Sequence, residues 1–187
     1  FDGLAGVGVA FKLALAVSIK MGIKASETFD KYCDLAAIGT IADVVPLVDE
    51  NRIIVDKGLG KLVQPKRPGL RELFKIAGIS GKPISASTIA FAVAPRMNAA
   101  GRLGTAKTAV ELLLTNDDRR AQEIAAELDR ENKERQETEH QIHREALELI
   151  ANDPNFSAKK VIVLAKEGWH NGVIGIVASR LTEAFYR

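Results

Sequence analysis

The stretch "DDRRAQEIAAELDRENKERQETEHQIHREALELIAND", Asp117 to Asp153, holds neither glycine nor proline and is dense in charge. Thr115, Asn116 and Asp117 at its start are natural helix caps, and Pro154 follows it. The pattern predicts one helix over residues 116–151, roughly 50 Å long at 1.5 Å per residue. Ile124 and Leu128 anchor one end and Ile142, Ala146 and Leu149 the other, while Asp129 to Gln141 contains no apolar residue. Glu131 and Arg135 sit four apart, a stabilising pair on an exposed helix. A helix polar all round in its middle reads as a solvated bridge between two packed bodies. The chain is therefore expected to have three parts: residues 1–115, the linker helix 116–151, and residues 152–187.

Upstream of the bridge, apolar periodicity punctuated by glycine and proline predicts short helices with brief connections. "GVGVAFKLALAVSIKMGIK" reads as a mostly buried helix ending near Met21 and Gly22. "CDLAAIGTIAD" reads as a helix that stops near Asp43, because Pro46 drives Val45 out of the helical region. "ENRIIVDKGLGKLV" and "RPGLRELFKIAGI" give two more helices, the second started by Pro68 and ended by Gly78. "SASTIAFAVAPRMNAAGRLG" is expected to be a short apolar helix followed by a turn bounded by proline and glycine, and "TAKTAVELLLTND" a final helix. Downstream, Val161 to Leu164 reads as a short strand. A polar loop and a helix carrying Val173, Ile176, Val177 and Leu181 on one side follow it. One strand and one helix cannot enclose a core, and the chain opens at Phe1 without methionine, so a piece of a longer protein is expected.

The 187 residues are 47% hydrophobic and 27% charged, enough to bury a core. The longest apolar run, around Val7 to Ser18, is interrupted by Lys12 and falls short of the roughly 20 residues a membrane span needs. Cys33 is the sole cysteine, which excludes an internal disulfide framework and points to a reducing, cytoplasmic setting. A net charge of +2 makes no argument for a nucleic-acid partner, which must rest on local basic clusters.

Three constellations can carry chemistry. Asp43 stands at the negative end of a helix dipole among Ile41, Ala42, Val44 and Val45, so it needs a cation. Arg52 or another base in an ion pair satisfies that need, and so does a metal ion. Arg96 and Arg102 flank the small residues around Asn98; guanidinium forks there suit phosphate oxygens, and a tight turn with salt-bridged arginines fits equally. In "KEGWHNGVIG", Asn171 and Gly172 open a helix whose free amides favour an anion. His170 there is either a donor or a cap, Trp169 a stacking platform or core, and Ser179 and Arg180 lie one to two turns further on. Gly6 and Gly8 read as geometry at a helix start, and His140 and His143 as a solvated face.

Taken in order, "DLAAIGTIADVVPLVDENR", "APRMNAAGRLG", the charged helix and "EGWHNGVIGIVASRL" resemble the RecJ family of single-stranded-DNA-specific exonucleases, in the DHH phosphoesterase superfamily. The resemblance covers essentially the whole chain. It implies an α/β protein, here a mostly helical piece. Residues 1–115 would be the C-terminal part of the DHH catalytic domain, 116–151 the linker helix, and 152–187 the first βα unit of the DHH-associated domain. It implies that Asp43 belongs to a two-metal site for manganese or magnesium. The arginine motif is associated in that family with substrate phosphate, which fits Arg96 and Arg102; with Asn98, His170, Gly172, Ser179 and Arg180 they make up the expected phosphate- or DNA-binding set. The implied activity is 5′-to-3′ hydrolysis of single-stranded DNA in recombination and repair, with other repair proteins as partners. The family's Asp-x-Asp and Asp-His-His motifs do not occur in this chain, nor does its Gly-Gly-Gly-His segment, so the chain alone is expected to be inactive. Two alternatives stand beside this: a phosphoesterase for short oligonucleotides or cyclic dinucleotides, and a non-catalytic scaffold of the same shell.

Overall fold

A computed structural model describes residues 1–103 and 105–186. Gly104, the last residue of "APRMNAAGRLG", and Arg187, the end of the third expected part, lie outside the described residues. The described chain is mostly helical, 73% helix. Its order is α1 (Gly6–Lys20), α2 (Ala25–Ala42), α3 (Asp49–Leu62), α4 (Pro68–Ile76), α5 (Ala86–Thr88), a π-helical turn (Ile89–Val93), α6 (Ala94–Leu103), α7 (Ala106–Leu114), α8 (Asp118–Ala151), a 3-10 turn (Phe156–Ala158) and α9 (Asn171–Phe185).

Glycine and proline set the ends as the sequence predicts. Gly22 and Gly78 take φ of +78° and +68° just past α1 and α4, the left-handed geometry that glycine adopts without steric cost. Pro68 opens α4 at the position where its missing N–H costs nothing. Asp117 caps α8 by accepting hydrogen bonds from the amides of Arg119 at 2.8 Å and Arg120 at 3.2 Å.

Three apolar clusters hold these helices. The largest joins α2, α3, α4, α6, α7 and the start of α8, around Leu62, Leu70, Leu73, Ile89, Leu112, Ile124 and Leu128. A second packs Phe11 of α1 against Cys33, Ala36 and Ile54. A third, separate from both, packs Ile142, Ala146 and Ile150 of α8 against Val173, Val177 and Leu181 of α9.

Four expectations are corrected. First, no strand occurs among the described residues, so the α/β class is not seen. Val161 to Leu164 does alternate as a strand would: Val161 and Val163 are exposed, and Ile162 and Leu164 pack on the third cluster. A strand is defined by a paired neighbour, and this segment has none among the described residues. Second, α1 is not mostly buried; only Gly8 and Phe11 are, and Val9, Leu13 and Val17 line an exposed face.

Third, "APRMNAAGRL" is helix and not turn. Pro95 lacks an N–H and its ring crowds the carbonyl four residues back. The wider π turn over Ile89–Val93 accommodates it, and helical structure runs from Ala86 through Leu103. Fourth, α8 is not solvated all round in its middle. Leu128, Asn132, Arg135, Glu139, Ile142, Ala146 and Ile150 are all buried, at spacings of three and four, so a single stripe faces inward along its length. The centre of that stripe happens to be polar, and an apolar periodicity search cannot see it.

Candidate functional site

Asp43 caps the C-terminus of α2. The chain turns away at once, with the amide of Val44 bonded to the carbonyl of Ile41 at 3.2 Å. Val44 takes φ of 57°, a conformation that costs a β-branched residue about 1–2 kcal/mol. The consequence for Asp43 corrects the reading from sequence. Ile41 is buried at 6% exposure, but Val44 is 87% exposed and Asp43 is itself exposed. Neighbours in sequence do not desolvate it, because the turn carries them out into solvent. Arg52 is not its partner, and no ion pair reaches Asp43 among the described residues.

Asp43 instead borders an open cleft of about 730 Å³. The start of α1, residues 5–7, forms one wall, Gly39 and Ala42 of α2 another, and Asn98, Gly101 and Arg102 of α6 the third. Each wall has a local cause. A Cβ on Gly39 would meet Cγ1 of Val7 at 2.7 Å, so glycine there lets α1 approach α2 beside Asp43. Ala5 precedes α1 without any side-chain cap, leaving the first amides of that helix free for an anion. On α6, Asn98, Gly101 and Arg102 lie three and four apart on an exposed face, while Ala99 and Ala100 are fully buried. Sequence reasoning misses the α1 wall; Gly6 and Gly8 are its signal, legible only as geometry at a helix start.

The other expected residues divide. Arg102 donates from Nη1 to the carbonyl of Gly172 at 3.0 Å, and a Cβ on Gly172 would meet the Arg102 carbonyl oxygen at 2.6 Å. Gly172 therefore packs against Arg102, a residue of the cleft wall, without lining the cleft itself. His170 caps α9, its Nδ1 accepting from the amide of Gly172 at 3.1 Å, and so serves as an acceptor. Ser179 donates to the carbonyl of Gly175 at 3.1 Å. Arg180 lies 2.7 Å from Glu139. None of His170, Ser179 and Arg180 borders the cleft with Asp43. Trp169 packs on the third cluster and donates from Nε1 to Glu145 at 2.7 Å. That bond, with others from Gln141 and Lys166, holds the Glu145 carboxyl below its ordinary range.

Arg96 faces away from the cleft walls, toward α8. Its Nε donates to Asp129 at 2.8 Å and its Nη1 to the carbonyl of Ala92 at 2.6 Å. Burial pushes the Asp129 carboxyl up, but hydrogen bonds from Lys133 and Arg96 and their charges more than offset this and hold it below the ordinary range. A carboxyl depressed in the folded state contributes stability above its unfolded value of about 3.9, lost as pH falls through the folded value. Urea unfolding of wild type and Asp129→Asn should therefore show the wild type losing its advantage below about pH 4. An advantage that persists undiminished at about pH 2 would contradict the pairing.

Asp43 is exposed, in no ion pair among the described residues and open to the cleft, and a hard carboxylate of that kind fits a manganese or magnesium ion. It cannot make the site by itself: no group of three His, Cys, Asp or Glu able to hold a metal occurs among the described residues. No helix of the described residues is long and apolar enough to cross a membrane.

No family model matches the chain. Curated relatives do. The single-stranded-DNA-specific exonuclease RecJ of Bacillus subtilis is 48% identical over 187 residues, covering 100% of this chain and 23% of that protein. RecJ of Haemophilus influenzae is 41% identical over 98% of this chain and 34% of that protein. A crystal structure of RecJ from Thermus thermophilus in complex with Mn2+ superposes with a TM-score of 0.85 at 43% identity, covering 98% of this chain and 26% of that one. The same enzyme is also known in complex with Mg2+. A further exonuclease RecJ bound to manganese matches all of this chain and 46% of its own, again at a TM-score of 0.85. The chain spans about a quarter to a third of the length of the curated relatives. In sequence and in fold alike, it matches a segment of the single-stranded-DNA-specific exonuclease RecJ over essentially its whole length.

Proposed function

We propose that this segment supplies one metal ligand and one phosphate-binding wall to a single-stranded-DNA exonuclease. The observation that carries the reading is the shared cleft: Asp43 stands on the same opening as Asn98, Arg102 and the uncapped start of α1. Asp43 would hold manganese or magnesium together with ligands from elsewhere in the longer protein. When bound, such an ion lowers the pKa of water and stabilises charge on a phosphoryl group. This chain's own residues do the rest. Arg102 presents a guanidinium to phosphate oxygens, the free amides of α1 add donors and a favourable dipole, and Asn98 offers a neutral donor alongside. Arg96, held by Asp129, supports α6 from behind. In support of the expected three-part division, the apolar clusters built on residues 1–115 and the start of α8 are separate from the cluster of the end of α8 with α9. By itself the chain is expected to hydrolyse no DNA, since its other metal ligands are missing.

The test is Arg102→Ala in the full-length protein. Loss of a charge-assisted contact worth about 1.5–3 kcal/mol should lower kcat/KM on single-stranded DNA by roughly 10–100-fold. Unchanged kcat/KM would remove the phosphate-binding wall. Comparing a long single strand with dinucleotides separates an exonuclease from a phosphoesterase of short substrates, the former favouring the long strand.

A further inference from the structure

Polar and charged side chains occupy core positions in the middle of α8. Asn132, Arg135 and Glu139 are 3%, 9% and 2% exposed, between Leu128 and Ile142 on the same stripe. A buried ion pair is weak grounds for stability, because an apolar residue of similar size does as well; its best-attested use is to fix geometry. The contacts here show which geometry. Glu139 Oε2 accepts from Arg135 Nη1 at 2.8 Å, and Arg135 Nη2 donates to Asn132 at 3.1 Å. That braces one oxygen from within α8. The other, Oε1, has no hydrogen bond of good geometry; what it faces is Arg180 Nη2 of α9, 2.7 Å away. The carboxylate is thus shared, Oε2 held by Arg135 within α8 and Oε1 paired across the interface with Arg180.

Helix α9 lies on α8 through the third apolar cluster, and two polar contacts add to that packing. At its start, Gly172 lies against Arg102, backbone to backbone and through the guanidinium. Eight residues on, about 12 Å along the axis, Arg180 meets Glu139. Apolar packing is non-directional and lets a helix shift on its neighbour, whereas a directed polar contact at each of two places fixes its register and direction. The first of these contacts is made to Arg102, which lines the cleft.

We infer that Glu139 is a positioning residue for the cleft: it holds Arg180, and through α9 it sets Gly172 against Arg102. Its bearing on catalysis rests on the reading of the cleft as a phosphate site. The experiment uses the full-length protein with spin labels on cysteines placed at Lys107 and Glu183, both exposed, while Cys33 is fully buried and stays unlabelled. Glu139→Gln keeps the side chain's shape and removes its charge. It is expected to broaden the distance distribution between the labels and to raise KM for single-stranded DNA at least about fivefold, the low end of coupling between sites, with kcat nearly unchanged. An unchanged distance distribution in folded Glu139→Gln overturns the inference. A broadened distribution with unchanged KM supports the positioning of α9 and counts against the phosphate reading of the cleft. Should Glu139→Gln fail to fold, Arg180→Gln breaks the same contact from its half-exposed side, and its distance distribution decides the matter.

Discussion

Asp43→Asn in the full-length protein is expected to lower metal-dependent hydrolysis of single-stranded DNA by more than about 100-fold, since mutation of outer partners of metal ligands alone typically costs roughly 10–100-fold. The fold should be untouched. Asp43 is exposed, in no ion pair among the described residues, and stands where the helix dipole disfavours a carboxylate. Its replacement by a neutral isostere therefore removes an unfavourable interaction and opens no cavity. Thermal and urea midpoints equal to or slightly above wild type are expected alongside the lost activity. Full activity with the same manganese or magnesium dependence would remove Asp43 from the site. A large drop in stability would show instead that its role is structural.

Gly69→Ala is expected to destabilise the fold by about 3 kcal/mol or more, the upper range for overpacking. A Cβ at Gly69 would lie 1.9 Å from the backbone oxygen of Leu112, and backbone of α7 cannot step aside as a flexible side chain does. Gly58→Ala should behave similarly, its Cβ meeting Ala37 at 2.3 Å and the Cys33 carbonyl at 2.5 Å. Gly60→Ala supplies the contrast. It lies two residues from Gly58 in the same helix with nothing within 4 Å, so alanine should stabilise by about 0.5–1 kcal/mol through helix propensity. Urea denaturation of the three variants checks all of this. Equal midpoints for Gly58→Ala and Gly60→Ala would contradict the packing of α3 on α2.

Much of the helical skeleton is legible in the sequence because its signals are local. Pro68, Gly22, Gly78 and Asp117 act through their own dihedrals or their nearest amides, and each ends or starts a helix where expected. The end of α2 at Asp43 follows from Pro46 in the same way. What misleads is any inference from sequence neighbours to burial. Val44 and Val45 suggest a desolvated Asp43, yet one left-handed residue turns Val44 outward. Pro95 suggests a boundary, yet a π turn absorbs it. The polar middle of α8 suggests a solvated bridge, because a buried Glu139 braced by Arg135 looks, in a hydrophobicity pattern, like a surface ion pair at the same spacing.

The candidate site divides along the same line. Its residue types are visible in the sequence: a carboxylate ending a helix, two arginines about small residues, a histidine opening a helix. Their grouping is not. Arg96 and Arg102 belong to one motif, and the helix turns one toward Asp129 and the other into the cleft. The wall from α1 is remote from Asp43 in sequence and carries no side chain with an obvious function. By itself the sequence determined where most helices begin and end and which residue types suit a metal or a phosphate, since both depend on covalent structure and short-range chemistry. Only the tertiary structure decided which of those residues share a cleft and which charges are buried. Burial and proximity are set by helices packing across long sequence separations, and no local pattern records that.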